Sequence, residues 1–341
     1  MPLIRLISVM VCCEPRNNDM RFSVVIPLHN KAQYVAKAIH SVLAQTYADF
    51  ELVIVDDGSV DDSAQAAMQA IGERENCRLI RQENAGVSVA RNNGVAASQG
   101  EYLCFLDADD WWEPTFLEEM SKLIAGLPEA GVYGTNYTIV NETKHRTRVA
   151  HIGVEDGFEQ GYINYCQAYA RTMYMPLWTG AVCIPRSVFD AMGGFRKGVK
   201  LGEDFLLWIH VALRYRVAFL NKPLAYYNQD VEAANRGVGR LYEPKEHMLW
   251  NLTDLEPLEG ENQDYKQLVD ALRVIGLMPY YLSKTYKKMA DVELAKVDWN
   301  RQPVSKAKEY RKPIGWLRIK YALLKTGAKI KPLVCNKPKK D

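Results

Sequence analysis

The sequence lacks several features that would define whole classes of protein. It has no run of 18 apolar residues, so a membrane-spanning helix is not expected. Its seven cysteines are odd in number and form no C-x-x-C pair, which argues against a zinc ribbon or a disulfide framework and favours free thiols in a reducing cytosol. No internal repeat is present. The 48% of apolar and 25% of charged residues exclude a collagen-like or wholly disordered chain.

Charge is small overall but unevenly distributed. The net charge is +2, yet residues 305–341 hold twelve Lys and Arg residues against two acidic ones, which leaves an acidic body. In a helix that Pro313 could open, one face is shared by Leu317, Tyr321, Leu324 and Ala328, and Arg318, Lys320 and Lys325 lie close to it. This composition is typical of a basic amphipathic tail on an anionic membrane surface. A solvated tail is the alternative, and no recognised nucleic-acid module accompanies the cations, so nucleic acid is not an expected partner.

The first nineteen residues form a separate segment. The apolar stretch 6–13 is too short to span a bilayer and is followed by no small-residue cleavage site. We therefore predict a poorly ordered extension over 1–19, with Met20 as the functional start; a membrane-touching segment is the alternative. The remaining chain is predicted to divide into a main domain over 20–228, a helical extension over 229–304 and the basic tail over 305–341.

Short apolar runs alternate with helical patterns in the first third of the chain. Strands are predicted over 22–27, 51–55, 77–80 and 101–106, and helices over 33–45, 61–71, 87–97 and 115–125. This order predicts an α/β fold with a mostly parallel, Rossmann-like central sheet flanked by helices. Right-handed crossovers bring the carboxyl ends of the strands to one edge, where such sheets bind ligands.

Acidic residues follow two of these strands. Asp107 and Asp109 come after the fourth strand, and carboxylates spaced i, i+2 can reach one Mg²⁺ or Mn²⁺ ion that also takes phosphate oxygens. Asp109 is the candidate metal ligand, and Asp107 could bind directly, through water, or to a ribose hydroxyl. The alternative is that Asp109 and Asp110 cap the helix that begins near Pro114.

Two further acidic pairs have an open interpretation. Asp57, after the second strand, could accept from a uracil imide or from ribose hydroxyls, or Asp56 and its neighbours could form a plain turn. Glu203 and Asp204 begin an amphipathic helix, where acids are often only partners of the helix dipole. A carboxylate at the lip of a cleft could instead act as a general base.

Five segments together resemble glycosyltransferase family 2. They are VVIPLHN at 24–30, LAQTY at 43–47, FELVIVDDGSVDDS at 50–63, NAGVSVARNNGVAASQGEYLCFLDADD at 84–110, and GGF…GEDFLLW at 193–208. The resemblance implies the GT-A fold and inverting transfer of a sugar from a nucleotide-sugar, with UDP favoured, to a saccharide or lipid-linked acceptor. It also implies a role in cell-surface polysaccharide or lipooligosaccharide synthesis, on the cytoplasmic face of the membrane, with Mn²⁺ or Mg²⁺ as cofactor.

The resemblance also assigns site residues. It implies that Asp204 is the catalytic base and Asp109 the metal ligand. The residues it places at the nucleotide-sugar are Pro27, His29, Asn30, Asp57, Arg91, Asp107 and Ala108. Those on the acceptor side are Trp178, Thr179, Gly180 and Glu203.

The sequence departs from the family pattern at two places. His210 stands where the family often has Arg, and Arg236 and Arg240 replace an arginine-rich closing segment; they could fold over the diphosphate or lie in a solvated loop. A catalytically degenerate nucleotide-sugar-binding partner in a polysaccharide assembly complex is the alternative function. A phosphatase with an Asp-x-Asp nucleophile is disfavoured, because Trp111 occupies the position where that class has Thr or Val.

Overall fold

The computed structural model describes residues 22–230 and 241–325 of the 341-residue chain. The chain forms two compact units that divide between Leu268 and Val269, and each is described by itself. The predicted extension 1–19 and residues 326–341 of the predicted tail lie outside the described residues. Within 22–230 and 241–325, no helix is long and apolar enough to cross a membrane.

The first unit carries the sheet and most of the helices. Its strands are β1 Phe22–Leu28, β2 Phe50–Asp57, β3 Cys77–Gln82, β4 Tyr102–Phe105, β5 Trp111–Trp112, β6 Ala130–Asn141, β7 Arg146–Val149, β8 Gln160–Ile163, β9 Val182–Pro185 and β10 Arg216–Asn228. Its helices are α1 Val35–Leu43, α2 Ser63–Ile71, α3 Val87–Ala96, α4 Phe116–Gly126, α5 Tyr165–Thr172, α6 Arg186–Ala191, α7 Glu203–Ala212 and α8 Leu258–Glu261.

Helices continue to the end of the described chain. They are α9 Gln263–Gly276, α10 Met278–Leu282, α11 Lys287–Ala295, α12 Val304–Tyr310 and α13 Ile314–Lys325. In the second unit Leu317 is fully buried, and Lys320 of α13 pairs with Glu309 of α12. The predicted helical C-terminal extension is therefore present.

The ten strands form one sheet in the order β3-β2-β1-β4-β9-β6-β10-β5, with β7 beside β6 and β8 beside β10. The pairings β1–β2, β2–β3, β1–β4 and β6–β10 are parallel. Strand β9 lies antiparallel between β4 and β6, so six strands still point the same way. The predicted α/β fold with a central sheet and flanking helices is confirmed.

The sheet is buried on both faces at its centre. Every residue of β2 is buried, and alternate residues of a strand point to opposite faces. Leu52 and Ile54 belong to the large core with α1 and α2, whereas Val53 and Val55 pack with Ala90 of α3 on the other face. Such two-sided burial explains why these strands are continuous apolar runs in the sequence.

The carboxyl ends of β1 to β4 meet at one edge of the sheet. Helix α3 packs closely on this region, since a Cβ at Gly94 would lie 2.4 Å from Val25 Cγ1 of β1. The close approach holds the first turns of α3 beside the loops that follow the strands. The predicted nucleotide-binding residues lie at or just after the ends of these strands, except Arg91, which lies on α3.

Candidate active site

Four loops meet at the carboxyl edge of the sheet. Asn30, after β1, joins the first loop to the second: its Oδ1 accepts from the Val60 N–H at 2.9 Å, and its own N–H donates to Ser59 Oγ at 3.1 Å. Its φ of 51° is a left-handed conformation that Asn tolerates better than most residues. Gly58 approaches the third loop so closely that a Cβ would lie 2.8 Å from the Asn84 nitrogen. The loops therefore form one continuous surface.

Asp57 organises the loop that follows β3. Its buried carboxylate accepts three hydrogen bonds, from Gln82 Nε2 at 2.7 Å, the Ala85 N–H at 2.8 Å and the Gly86 N–H at 2.9 Å. Asn84 donates to the Asp57 carbonyl oxygen at 3.0 Å, and His29 Nδ1 lies 2.8 Å from the same oxygen. Oδ1 receives two of the carboxylate's bonds and Oδ2 one, which leaves Oδ2 capacity for a further donor.

Asp56 has the turn role that the sequence left open. Its Oδ2 accepts from Arg81 Nε at 2.9 Å, and its Oδ1 accepts from the Ser59 N–H at 3.0 Å. The side chain is fully buried beneath the loop. Pro27 lies within β1 opposite Val55 and is partly buried, so it shapes the floor of the surface.

The four residues Asp107 to Asp110 after β4 face different surroundings. The Asp107 carboxyl side chain is 33% exposed, whereas the Ala108 side chain packs in the hydrophobic core, so a contact of Ala108 with a donor would have to be made by its backbone. Asp110 is buried, and its Oδ1 accepts from the Asn228 N–H at 2.7 Å, tying this loop to the end of β10. Helix α4 has Thr115 at its N-cap without a side-chain bond, so Asp109 and Asp110 do not cap it.

Asp109 forms an ion pair with Lys31, which lies in the loop after β1. Lys31 Nζ lies 2.6 Å from Asp109 Oδ2, and both side chains are largely buried. Burial raises the pKa of Asp109; Lys31 lowers it and Asp107 adds to the rise. Burial and then the charges of Asp109 and Asp107 raise the pKa of Asp110 well above its ordinary value.

Arg91 of α3 links a residue predicted at the nucleotide-sugar to a residue predicted on the acceptor side. Its Nη2 donates to Asp107 Oδ1 at 2.8 Å, and its Nη1 donates to Glu203 Oε1 at 3.0 Å. Burial acts to lower the pKa of Arg91, but Asp107, Glu203 and Asp204 raise it above its ordinary value. Its buried Nε has no hydrogen-bond partner within the described part of the chain, and an unmet buried donor of this kind suits an anionic ligand.

The acidic pair at the start of α7 is desolvated. Burial, followed by the charge of Asp204, raises the pKa of Glu203 to about 7, although Arg91 opposes the rise. Burial also raises the pKa of Asp204, while Arg91 and hydrogen bonds from the Phe205 N–H and Thr179 Oγ1 act against it. Buried carboxylates with raised pKa values are candidates for general acid–base chemistry.

The predicted acceptor-side residues Trp178, Thr179 and Gly180 form a packed segment that contacts Asp204 through Thr179. Trp178 is buried against Tyr137 and Tyr227, with ring centroids 4.8 and 5.3 Å away. Gly180 lies so close to the Trp178 indole that a Cβ would be 2.6 Å from its Cη2. Thr179, in the 3₁₀ turn Thr179–Ala181, donates to Asp204 Oδ2 at 2.9 Å. These three residues therefore build the wall against which Asp204 is fixed.

His210, which stands where the family often has Arg, has its hydrogen-bond partners at Leu206 and Asp254. Its Nδ1 lies 2.6 Å from the Leu206 carbonyl oxygen, and its Nε2 lies 2.8 Å from Asp254 Oδ2. The ring thus links the C-terminal half of α7 to the segment around Asp254, which Arg196 also approaches. In this arrangement the role of His210 is to anchor a helix.

The strand-end carboxylates fit a divalent cation of the Mg²⁺ or Mn²⁺ type. Asp107 and Asp109 offer hard oxygen ligands, and their mutual repulsion is part of the pKa shift of Asp109. Among the described residues, no three His, Cys, Asp or Glu side chains form a ready-made metal-binding group. A cation held by one or two carboxylates would complete its shell with diphosphate oxygens and water.

Two residues of this surface were not singled out from the sequence. Lys31 was missed although it directly follows Asn30, and Asn84 was missed although it follows β3 at the same sheet edge. Position after a parallel strand was the available signal for both. The predicted closing residues Arg236 and Arg240 lie outside the described residues.

The architecture matches solved glycosyltransferases. A structure described as S. aureus TarS 1–349 in complex with UDP-GlcNAc superimposes with a TM-score of 0.67 at 17% identity, covering 93% of this chain and 95% of that one. A second, described as the mannosyltransferase PcManGT from Pyrobaculum calidifontis in complex with GDP-Man and Mn²⁺, gives 0.54 at 18% identity, covering 90% and 86%. At these identities the likeness defines the fold, which is the GT-A fold of glycosyltransferases.

Sequence comparison narrows this class to one family. Residues 23–187 match the family described as "Glycosyl transferase family 2", so this segment of the chain is a domain of that family. Glycosyltransferase GlyA of Streptococcus pneumoniae is 31% identical over 220 residues, 61% of this chain and 30% of that protein. An uncharacterized glycosyltransferase of Nostoc, alr2836, is 43% identical over 114 residues, 33% of this chain and 35% of that protein. The chain thus spans about a third of the length of these curated relatives.

Proposed function

We propose that the protein transfers a sugar, with inversion, from a nucleoside-diphosphate sugar to an acceptor hydroxyl. The observation that carries the proposal is the Arg91 bridge, which holds Asp107 of the donor side and Glu203 of the acceptor side at 2.8 and 3.0 Å from one guanidinium. The bridge brings the strand-end carboxylates and the acidic pair of α7 into one cleft. A transferase needs such a cleft, because donor and acceptor must meet in it.

Asp204 is the base in this proposal. It takes the proton of the acceptor hydroxyl while the acceptor oxygen forms its bond to C1 of the sugar from the face opposite the leaving group. The bond between C1 and the diphosphate oxygen breaks at the same time, and the electron pair leaves with the nucleoside diphosphate. Burial raises the pKa of Asp204 above its ordinary value, which makes it a stronger base as long as it stays ionised.

Replacement of the base tests this mechanism directly. Asp204→Asn should lower turnover by about 10²–10⁴-fold, the usual contribution of general-base assistance, and should leave nucleotide binding nearly unchanged. Asp190→Asn on α6 is the matched control, because Asp190 is an exposed carboxylate of the same domain. Turnover of the Asp204 variant equal to that of the control would remove Asp204 from the mechanism.

A divalent cation is the proposed cofactor. Asp109, with Asp107, would hold Mn²⁺ or Mg²⁺, and the bound ion would neutralise charge on the leaving diphosphate. The mannosyltransferase of the same fold, described as a complex with GDP-Man and Mn²⁺, supports this proposal. Asp109→Ala should abolish metal-dependent nucleotide binding in a calorimetric titration, and an unchanged affinity would refute the assignment.

A UDP-sugar is the proposed donor. The proposal rests on Asp57, whose Oδ2 retains acceptor capacity at the nucleotide edge, and on the fold shared with TarS, which was crystallised with UDP-GlcNAc. Thermal unfolding should be measured with UDP, GDP, dTDP and CMP, each with and without Mn²⁺. Ligand at 100 times its dissociation constant adds about 2.7 kcal/mol, so the true donor class should raise the unfolding midpoint visibly.

A saccharide or lipid-linked acceptor in surface-polysaccharide synthesis follows from the family rather than from these residues. The alternative function, a degenerate nucleotide-sugar-binding partner, predicts nucleotide binding without turnover. Release of free nucleoside diphosphate from the cognate nucleotide-sugar by purified protein would reject the degenerate alternative. Binding of the nucleotide-sugar without release of nucleoside diphosphate, with a range of acceptors tested, would favour the degenerate alternative.

We also propose that the basic tail contacts an anionic membrane surface at the cytoplasmic face. In α13 the exposed side chains Trp316, Ile319 and Leu323 recur at i, i+3 and i+7, and so share one face. The Lys312 ammonium lies 4.5 Å from the Trp316 ring centroid, so cations border this apolar face. Each Lys or Arg near an anionic surface contributes about 1 kcal/mol to binding.

Vesicle flotation of the full chain tests the membrane proposal. Ile319→Glu should reduce flotation with phosphatidylserine-containing vesicles several-fold, because it places a charge on the apolar face. Val292→Glu on α11 is a matched control, since Val292 is 62% exposed and Ile319 63%. Equal flotation of the two variants, or equal flotation with neutral vesicles, would reject the tail as a membrane contact.

A further inference from the structure

The carboxylate of Asp204 ends a chain of hydrogen bonds that begins in the core. Trp208, one turn further along α7, is fully buried, and its indole Nε1 donates to Thr179 Oγ1 at 3.1 Å. The Thr179 hydroxyl, itself 1% exposed, donates to Asp204 Oδ2 at 2.9 Å. The two bonds connect a side chain of the hydrophobic core to the proposed catalytic carboxylate.

The direction of this chain is fixed by chemistry. An indole N–H can only donate, so the Thr179 oxygen must accept from Trp208. The single hydroxyl proton of Thr179 is then free to point at Asp204, and a carboxylate oxygen accepts it. The other oxygen, Oδ1, accepts from the Phe205 N–H at 2.8 Å. Both oxygens of Asp204 therefore receive donors, and such bonds favour the ionised carboxylate.

The surrounding charges act in both directions on Asp204. Arg91 favours its ionised form, whereas Asp107 opposes it, and the charge of Asp204 in turn raises the pKa of Glu203. Tyr165 and Tyr169 of α5 face the same carboxylate, and burial together with this charge keeps both phenols neutral by raising their pKa values. Because burial disfavours the charged carboxylate most strongly, directed donors are needed to keep Asp204 able to accept a proton.

We propose that Thr179 is a positioning residue for the reaction, oriented by Trp208 so that its hydroxyl holds Asp204 ionised and aimed at the acceptor hydroxyl. The inference rests on the proposed function, in which Asp204 is the base. It predicts that the hydroxyl of Thr179, rather than its volume, matters for activity. The proton that Asp204 takes from the acceptor must occupy one of the acceptor positions that Thr179 and Phe205 leave open.

The test is the pH dependence of kcat/KM for sugar transfer. Thr179→Val keeps the side-chain volume and removes the donor, so the acidic limb of the profile should move to higher pH by about one unit, the usual effect of one hydrogen bond to a charged group. Thr179→Ser keeps the donor and should restore the parent profile. Trp208→Phe should shift the limb in the same direction by less, because Thr179 loses its orientation but keeps its proton.

The outcomes separate this inference from the proposed function. If Asp204→Asn is inactive and Thr179→Val has the parent pH profile, the positioning role is wrong and the base assignment stands. If Asp204→Asn is as active as the parent, the proposed function itself fails. If Thr179→Val does not fold, the profile of Trp208→Phe decides. An unshifted acidic limb for Trp208→Phe overturns the positioning role. A shifted limb for Trp208→Phe, with no shift for Thr179→Ser, supports the positioning role.

Discussion

Replacement of Arg91 by Met should destabilise the protein more than the loss of any exposed cation. The Arg91 side chain is 4% exposed and is the common partner of Asp107 and Glu203. Met has similar length and no charge, so the change leaves two carboxylates without their cation in a desolvated cleft. The effect is therefore electrostatic, and its size can be worked out from burial.

Removing one partner of a buried ion pair costs about 3–5 kcal/mol, because the remaining charge is left uncompensated. Asp107 is one-third exposed and can be partly rehydrated, so the lower end of this range, about 3 kcal/mol, is expected for Arg91→Met at pH 8. At pH 5 the loss should be smaller, since the pKa of Glu203 is already raised to about 7 and its carboxyl group is then neutral. The penalty should therefore grow with rising pH.

Urea unfolding of the parent and Arg91→Met at pH 5 and pH 8 measures this effect. Arg216→Met is the matched control: Arg216 pairs with Glu129 at 2.7 Å, but the side chains are 62% and 71% exposed, so its loss should cost about 0–1 kcal/mol. Adding Glu203→Gln to Arg91→Met should recover part of the loss, since the uncompensated charge is removed. Equal losses for Arg91→Met and the control, or a loss independent of pH, would refute the reasoning.

The other expectations concern single groups of the site. The raised pKa of Glu203 means that the folded state holds this proton more tightly than the unfolded state does. The contribution of Glu203 to stability is therefore full below pH 4.5 and is lost as pH rises through about 7. In urea unfolding followed against pH, Glu203→Gln should remove about 3 kcal/mol of this decline. Lys31→Met should tighten Mn²⁺ binding to the nucleotide-free protein about tenfold, measured by electron paramagnetic resonance titration, because the ammonium that competes for Asp109 is gone. Gly180→Ala should lower the unfolding free energy by about 1–3 kcal/mol in calorimetry, since its methyl would overlap the Trp178 ring.

The first strands of the sheet were predictable because they are buried on both faces. Strands β1 and β2 begin and end within one or two residues of the predicted bounds, since both faces are covered and each strand is a continuous apolar run. The carboxylates after β2 and β4 could then be assigned to one edge from topology alone. This assignment depends only on the order of strands and helices along the chain, so no knowledge of contacts between residues distant in sequence was needed.

The second half was harder to predict because pairing, rather than local propensity, creates its strands. Strand β6 has twelve residues, yet Gly131, Gly134 and Asn136 weaken its strand pattern, so the sequence pattern does not predict it. Partners on both sides, β9 and β10 with β7 at its end, hold it extended. The antiparallel insertion of β9 likewise has no local signal.

Within the site, the identity of residues was more predictable than their partners. The acidic pair of α7 and the carboxylates after β4 were expected to matter, but their link through Arg91 joins positions 112 residues apart. The ion pair of Lys31 with Asp109 spans 78 residues. Only the folded arrangement reveals that these cations are already engaged, which changes what a metal or a donor must displace.

The balance of charge in the cleft has a consequence for ligand binding. The carboxylates outnumber the cations that contact them, with Asp107, Asp109, Asp110, Glu203 and Asp204 on one side and Lys31 and Arg91 on the other. A diphosphate that enters alone adds negative charge to a site where burial and repulsion already raise the pKa of Asp109 and Asp110. A divalent cation at the proposed site would relieve the repulsion among the carboxylates and their repulsion of the diphosphate, so it would lower the free energy of the complex more than that of the empty site. Metal and donor should therefore bind cooperatively, and linkage requires that each raise the affinity of the other by the same factor.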